Sequence, residues 1–72
     1  MTLKEYLNEN EPNCISVLIA KKNGGTMSVR YNKDEYKNEE IMSKELLKYE
    51  VTETEYVEED DCTEIWVIGG GI

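Results

Sequence analysis

The side chains best placed for chemistry are carboxylates in the last third of the chain. Six of them lie within nine residues: Glu53, Glu55, Glu58, Glu59, Asp60 and Asp61. Residues 50–72 contain eight acidic side chains and no Lys or Arg, so they account for the whole net charge of −8. Because a field of one sign selects partners by charge, this segment favours a basic protein surface and disfavours direct binding to nucleic acid or an anionic membrane.

These carboxylates could imitate a phosphate backbone. On a strand, Glu53 and Glu55 would lie about 7 Å apart, close to the spacing of adjacent phosphates on one nucleic-acid strand. Tyr56 adds an aromatic side chain, a type that concentrates at binding hot spots. We therefore predict that Tyr56 and the six acids bind the basic, nucleic-acid-binding surface of another protein. The alternative is a solvated edge strand whose charge discourages association between sheets.

The remaining candidates for chemistry are weaker. The acidic run 58–61 lacks the glycine and the alternating ligand spacing of an EF-hand loop. Cys14 and Cys62 have no C-x-x-C spacing, and the chain contains no His, the commonest metal ligand and general base. We interpret the two cysteines as buried, inert thiols. The sequence therefore predicts a protein that is not an enzyme and that uses no metal or cofactor.

Local patterns predict the element order α-β-β-α-β-β. Thr2 and Glu5 have the spacing of a capping box, and Asn23-Gly24 is typical of a hairpin turn. The predicted elements are helix 2–8, strand 15–20, strand 26–32, a polar link 33–38, helix 39–49, strand 51–59 and strand 63–68. In the third strand, alternation would put Val51 on the same face as Glu53, Glu55 and Val57.

The strands at 15–20 and 63–68 are apolar on both faces, which favours central positions in a sheet. We therefore predict a single α+β domain over residues 1–72, with a four-stranded sheet of order 2-1-4-3, helices packed on it and a flexible glycine tail at 69–72. Parallel pairing of strands 1 and 4 would make the sheet β-grasp-like and put Cys14 and Cys62 at neighbouring strand starts. Antiparallel pairing is the alternative. Since the chain has no Phe, Trp66 and Tyr31 are the expected large core side chains.

Size and layout resemble the small acidic proteins of phages and mobile elements of Gram-positive bacteria. The features that carry this resemblance are the opening Thr2-Leu3-Lys4-Glu5-Tyr6-Leu7, the Asn-Gly-Gly hairpin and the acidic second half. The resemblance implies an anti-CRISPR or other anti-defence inhibitor that binds a host protein and blocks its nucleic-acid site. Separately, the charged start of the chain is unlike a signal peptide and its apolar runs are too short to span a bilayer, so we predict a cytoplasmic protein.

A second resemblance concerns the C-terminal end alone. The run Glu64-Ile65-Trp66-Val67-Ile68-Gly69-Gly70-Gly71 is similar to the end of the sulfur-carrier proteins of thiamine and molybdopterin synthesis. Those proteins have a β-grasp fold, and their terminal Gly-Gly is adenylated and thiocarboxylated. This chain departs from that pattern because Ile72 follows the glycines and because a helix precedes the first strand.

Overall fold

The computed structural model describes residues 1–20 and 24–69. Its elements are α1 (Leu3–Asn10), β1 (Cys14–Ala20), β2 (Thr26–Asn32), α2 (Lys33–Tyr36), α3 (Lys44–Leu47), β3 (Glu50–Val57), a 3-10 turn (Glu58–Asp60) and β4 (Cys62–Ile68). The predicted α+β class is confirmed, and the predicted strand bounds agree to within two residues.

The four strands form one sheet of order β2-β1-β4-β3, as predicted. β1 pairs with β2 and β3 pairs with β4 in antiparallel fashion, whereas β1 and β4 run parallel. The parallel pairing decides between the two alternatives that the sequence left open and makes the sheet β-grasp-like. The two most apolar strands, β1 and β4, occupy the centre of the sheet, where each is hydrogen bonded to a strand on both sides.

The core lies between one face of the sheet and the helical layer. The central strands contribute Ile15, Val17, Ile65 and Val67, and the helical layer contributes Leu3, Leu7, Met42 and Leu46. The fully buried side chains of this core are Leu3, Met42, Ile15, Val17, Ile65 and Val67, whereas Cys62 is fully buried on the other face of the sheet. Tyr31 packs against this core, as predicted, and Tyr36 is buried in it, with its hydroxyl donating to the carbonyl of Pro12 at 2.5 Å.

Helix α1 begins with the predicted capping box. The backbone N–H of Thr2 donates to the Glu5 carboxylate at 2.8 Å, and the N–H of Glu5 donates to the Thr2 hydroxyl at 3.3 Å. The helix ends at Glu11, whose φ of 43° lies in the left-handed region and whose N–H donates to the carbonyl of Leu7. It therefore runs two residues further than predicted before Pro12.

The predicted bounds of helix 39–49 are wrong, because the helix there is only α3 (Lys44–Leu47), and the predicted polar link 33–38 is wrong, because it contains α2. Asn32 at the end of β2 forms a capping box with Glu35, so α2 starts at once, where the sequence indicated a link. The Asn38 side chain accepts a hydrogen bond from the N–H of Glu40 and forms a turn, and Ser43 caps α3. Hydrogen bonds from Asn and Ser side chains to the nearby backbone compete with the hydrogen bonds of a continuous helix. The segment 33–47 therefore forms two separate helices of one turn each, α2 and α3.

Strand β3 contains a bulge at Thr52, which puts Val51 on the face opposite to that of Glu53 and Glu55. The register shifts between Val51 and Glu53, and the hydroxyl of the intervening Thr52 donates to the carbonyl of Trp66 at 3.2 Å. Val51 pairs with Val67 and packs against the core. The prediction that Val51 shares a face with Glu53, Glu55 and Val57 is therefore wrong, because an extra residue breaks the two-residue period.

The two cysteines form a disulfide bond, so their interpretation as inert thiols is wrong. Ile15 of β1 lies beside Thr63 of β4, and this parallel register brings the preceding Cys14 and Cys62 together with a Cα–Cα distance of 4.5 Å. That distance is within the range that a disulfide can bridge. Cys62 is buried and Cys14 is half-buried.

Two predicted features lie partly or wholly outside the described residues. Of the hairpin turn 21–25, the structure describes Gly24, whose φ of 89° is positive as a hairpin turn of this kind requires. Of the glycine tail 69–72, it describes Gly69. Within the described ranges, none of the helices has the length and apolar character needed to cross a membrane.

Candidate functional site

The predicted site lies at one edge of the sheet and at the turn that follows it. We call the seven residues the acidic edge: Glu53, Glu55, Tyr56, Glu58, Glu59, Asp60 and Asp61. All seven are exposed. β3 is an edge strand, and its first residues are hydrogen bonded to the N-terminal segment through the N–H of Val51 and the carbonyl of Met1. The acidic side chains of β3 are therefore carried by a hydrogen-bonded strand rather than by a free tail.

The acidic edge does not present all its side chains on one surface. Glu53 and Glu55 lie opposite Trp66 and Glu64 of β4, on the side away from the helices. Tyr56 lies opposite Thr63, on the helical side. The acids of the 3-10 turn project from the end of the sheet at which β1 and β4 begin.

Asp61 and Tyr56 are engaged with each other. The Tyr56 hydroxyl donates to the Asp61 carboxylate at 2.7 Å, and the Asn13 side-chain amide donates to its other oxygen at 3.3 Å. The hydrogen bond from Tyr56, aided by that from Asn13, lowers the pKa of Asp61, and the same bond raises the pKa of Tyr56. Asp61 also has a left-handed φ of 48°, which Asp tolerates better than most residues. These two residues therefore help to fix the turn.

The other acids differ in how far they are neutralised. Asp60 lies 3.7 Å from the guanidinium of Arg30, but both side chains are more than half exposed, so the ion pair is weak. The remaining four form no ion pair or hydrogen bond through their side chains with the described residues: Glu53, Glu55, Glu58 and Glu59. These four are the carboxylates that the chain leaves open to a partner.

The sequence-based prediction missed a second part of this surface, on the sheet face away from the helices. Trp66 was expected in the core, but it points to this face, is half-buried and is absent from the core cluster. Leu18 lies directly beside it on β1, and Ile68, two residues further along β4, is 55% exposed. The strands are apolar on both faces, yet the short helical layer covers one. We call the uncovered side, with Leu18, Trp66 and Ile68 along its middle, the open face.

Acidic side chains flank the open face on the β3 side. Glu53 lies opposite Trp66, and Glu55 lies opposite Glu64, so two carboxylates are direct cross-strand neighbours. On the β2 side the corresponding positions are Ser28, beside Leu18, and Arg30, beside Ser16. The alternation of β4, in which Glu64 and Trp66 share a face, is the sequence signal that could have identified this surface.

The helical side carries a pocket of about 330 Å³ between α1 and the segment 36–47. Its rim includes Glu11 and Lys37, which form an ion pair with an N–O distance of 2.5 Å. Through this hydrogen bond each group shifts the other, so the pKa of Glu11 is lowered and that of Lys37 is raised. The charged groups on this side thus largely compensate one another, in contrast to the acidic edge.

Within residues 1–20 and 24–69, no three Cys, Asp or Glu side chains are grouped so that they could hold a metal ion. The four acids of the turn 58–61 are all exposed. Neither a family model, nor a curated protein, nor a solved structure matches the chain.

Proposed function

We propose that this protein is a non-enzymatic binding module whose acidic edge occupies the basic, nucleic-acid-binding surface of a host protein. In this role it acts as a phage or mobile-element inhibitor of the anti-CRISPR or anti-defence type. The observation that carries the proposal is the set of four exposed carboxylates without a partner among the described residues, Glu53, Glu55, Glu58 and Glu59. DNA-binding proteins gain much of their affinity from basic side chains that meet phosphates, and these carboxylates can meet the same side chains.

The rigidity of the edge supports this role. Glu53 and Glu55 are held by the ladder between β3 and β4, and the turn is fixed by the contacts of Asp61 with Tyr56 and Asn13. Because the backbone that carries them is fixed before binding, these carboxylates lose less conformational freedom in a complex than carboxylates on a disordered tail do. Such an array can therefore compete with a phosphate backbone for a basic groove.

The proposal is tested by displacement from DNA. Host extract is loaded on DNA-cellulose, and the column is eluted with the protein at about 0.15 M ionic strength, where the Debye length is about 8 Å. We expect the wild type to elute one or a few DNA-binding proteins. The fourfold variant Glu53→Gln, Glu55→Gln, Glu58→Gln, Glu59→Gln should fail to elute them.

A matched control separates the edge from net charge. The variant Glu9→Gln, Glu39→Gln, Glu40→Gln, Glu45→Gln removes the same number of charges from exposed positions in the helical layer. It should elute the same host proteins as the wild type. Elution of these proteins by the edge variant, or elution of nothing by the wild type, would refute the proposal.

A carrier function is the second candidate, and one observation favours it. The parallel pairing of β1 and β4 gives the β-grasp-like sheet, and β4 ends at Ile68 immediately before the glycines. In this alternative the C-terminal glycines would carry sulfur or a conjugate. Mass spectrometry of the protein from its native cell decides between the two candidates. A thiocarboxylate or conjugate after loss of Ile72 supports the carrier, and an intact C-terminus contradicts it.

A further inference from the structure

We infer that the open face docks a cationic amphipathic segment of the partner, with Trp66 as its apolar anchor. This inference rests on the proposed function, because it names the element of the partner that the protein binds. The open face is a different surface from the acidic edge, because the acidic edge lies on β3 and the turn, whereas the open face is centred on β1 and β4.

The apolar part of the face is continuous across the two central strands. Leu18 and Trp66 are direct neighbours in the parallel register, and Ile68 is 55% exposed on the same side. The disulfide Cys14–Cys62 lies at the end of this strip where β1 and β4 begin. Indole and aliphatic side chains next to each other on a flat sheet suit apolar side chains of a partner, and Trp is among the residues that dominate binding hot spots.

The charges beside this strip select the sign of the partner. Glu53 lies opposite Trp66, and Glu55 lies opposite Glu64 on the same face. Arg30, on the β2 side, is directed to Asp60. A Lys or Arg side chain placed over the Trp66 ring would gain a cation–π contact and would have the Glu53 carboxylate beside it.

The pair Glu55 and Glu64 gives a second reason for a cationic occupant. Like charges directly opposite each other destabilise a pair of strands, so the isolated protein has this arrangement at a cost in folding. A basic side chain seated between the two carboxylates would turn the repulsion into two attractive contacts. Two carboxylates at these positions therefore favour binding of a basic side chain and lower the folding stability of the free protein.

Charge also argues against a second copy of the chain as the occupant. Two copies placed face to face would bring the carboxylates of Glu53, Glu55 and Glu64 against each other, and each chain has a net charge of −8. The apolar strip and the acidic flank are together complementary to a segment that has apolar side chains on one side and Lys or Arg next to them.

The test uses a synthetic helical peptide with a Leu face and an Arg/Lys face, labelled with a dye for anisotropy. Trp66 is the one tryptophan of the chain, so its emission reports on the open face alone. We expect saturable binding with a blue shift of the Trp66 emission. An oligo-arginine peptide of equal charge should bind at least about tenfold more weakly, a difference of 1.4 kcal/mol.

Two charge-matched variants locate the site. Glu55→Gln with Glu64→Gln should weaken peptide binding by about tenfold or more and should raise the melting temperature of the free protein. Glu58→Gln with Glu59→Gln, which removes the same charge from the turn, should keep the blue shift. A merely structural role for Glu55 and Glu64 would predict a lower melting temperature.

Several outcomes would overturn the inference. These are no peptide binding, binding without a change in Trp66 emission, equal affinity for oligo-arginine, and a blue shift caused by self-association in sedimentation experiments. Displacement from DNA-cellulose tells this failure from that of the proposed function. If the single variant Glu64→Gln, which lies on the open face but outside the acidic edge, elutes host proteins as well as the wild type does while the fourfold edge variant does not, the open face is not the docking site, but the acidic edge still is.

Discussion

The disulfide between Cys14 and Cys62 should supply a large part of the stability of this domain. The bond closes a loop with a sequence separation of 48 residues. In the chain-entropy relation, a loop of this length gives about 4 kcal/mol at 25 °C. A core in a chain of this size rarely contributes more than roughly 3–5 kcal/mol of net stability, so the contribution of the bond is comparable to that of the core.

Urea unfolding with and without reductant measures this contribution. The protein is first oxidised in a glutathione disulfide buffer, and unfolding is followed by Trp66 fluorescence and far-UV circular dichroism. With an m value of about 1 kcal/mol/M, reduction should lower the urea midpoint by about 4 M. The double variant Cys14→Ala, Cys62→Ala is the control, and its midpoint should be low and independent of reductant.

Two results would refute this reasoning. The first is the titration of two free thiols in the oxidised, urea-unfolded protein, because a bonded pair yields none. The second is a midpoint that falls by less than about 0.5 M on reduction, since the loop would then restrict the unfolded chain far less than its length requires.

Disulfides persist mainly in oxidising compartments, whereas the sequence predicts a cytoplasmic location, where thiols are kept reduced. In the cytoplasm the protein would have the stability of the reduced form.

Three further predictions test single contacts. Tyr56→Phe should raise the pKa of Asp61 toward the ordinary value of an aspartate, because it removes the hydrogen bond that lowers that pKa, and NMR titration of the carboxyl carbon measures the change. Because the folded pKa of Asp61 is the lower one, the loss in stability should be full at neutral pH and vanish as the pH falls through that pKa. Thr2→Ala should cost about 1 kcal/mol in urea unfolding through loss of the α1 cap. Ile65→Ala should cost about 2–5 kcal/mol, whereas Ile68→Ala, at an exposed position, should change stability by about 0.5 kcal/mol or less.

Much of the fold follows from periodicity and local capping. The apolar runs of β1 and β4 predicted their central positions, and the Thr2–Glu5 spacing predicted the start of α1. The segment 33–47 was mispredicted because three polar residues, Asn32, Asn38 and Ser43, each make a local hydrogen bond that ends or begins a turn. Such competition depends on where the chain leaves β2, and this is not visible in a helical pattern.

The candidate site was predictable in its charge but not in its shape. The exposure of Glu53 and Glu55 follows from their charge, which favours an edge strand, and Thr54 and Tyr56 between and beside them are exposed as well. The position of Trp66 depends on which face of the sheet the helices cover, and both faces of β4 are apolar enough to be covered. The bulge at Thr52 likewise depends on the pairing of β3 with β4, because the local sequence contains no glycine to indicate it.

The two proposed surfaces would act at different stages of association. In the proposed complex, the acids of the turn 58–61 lie at one end of the sheet and are exposed, so their field reaches a basic partner before contact and mainly raises the rate of association. Leu18 and Trp66 have no long-range field and act when water is excluded, so they mainly lower the rate of dissociation. Glu55 and Glu64 belong to both stages, because they carry charge and lie on the open face. In the proposed complex, the cations of the partner would relieve the like-charge contact between Glu55 and Glu64, and this would link the two surfaces.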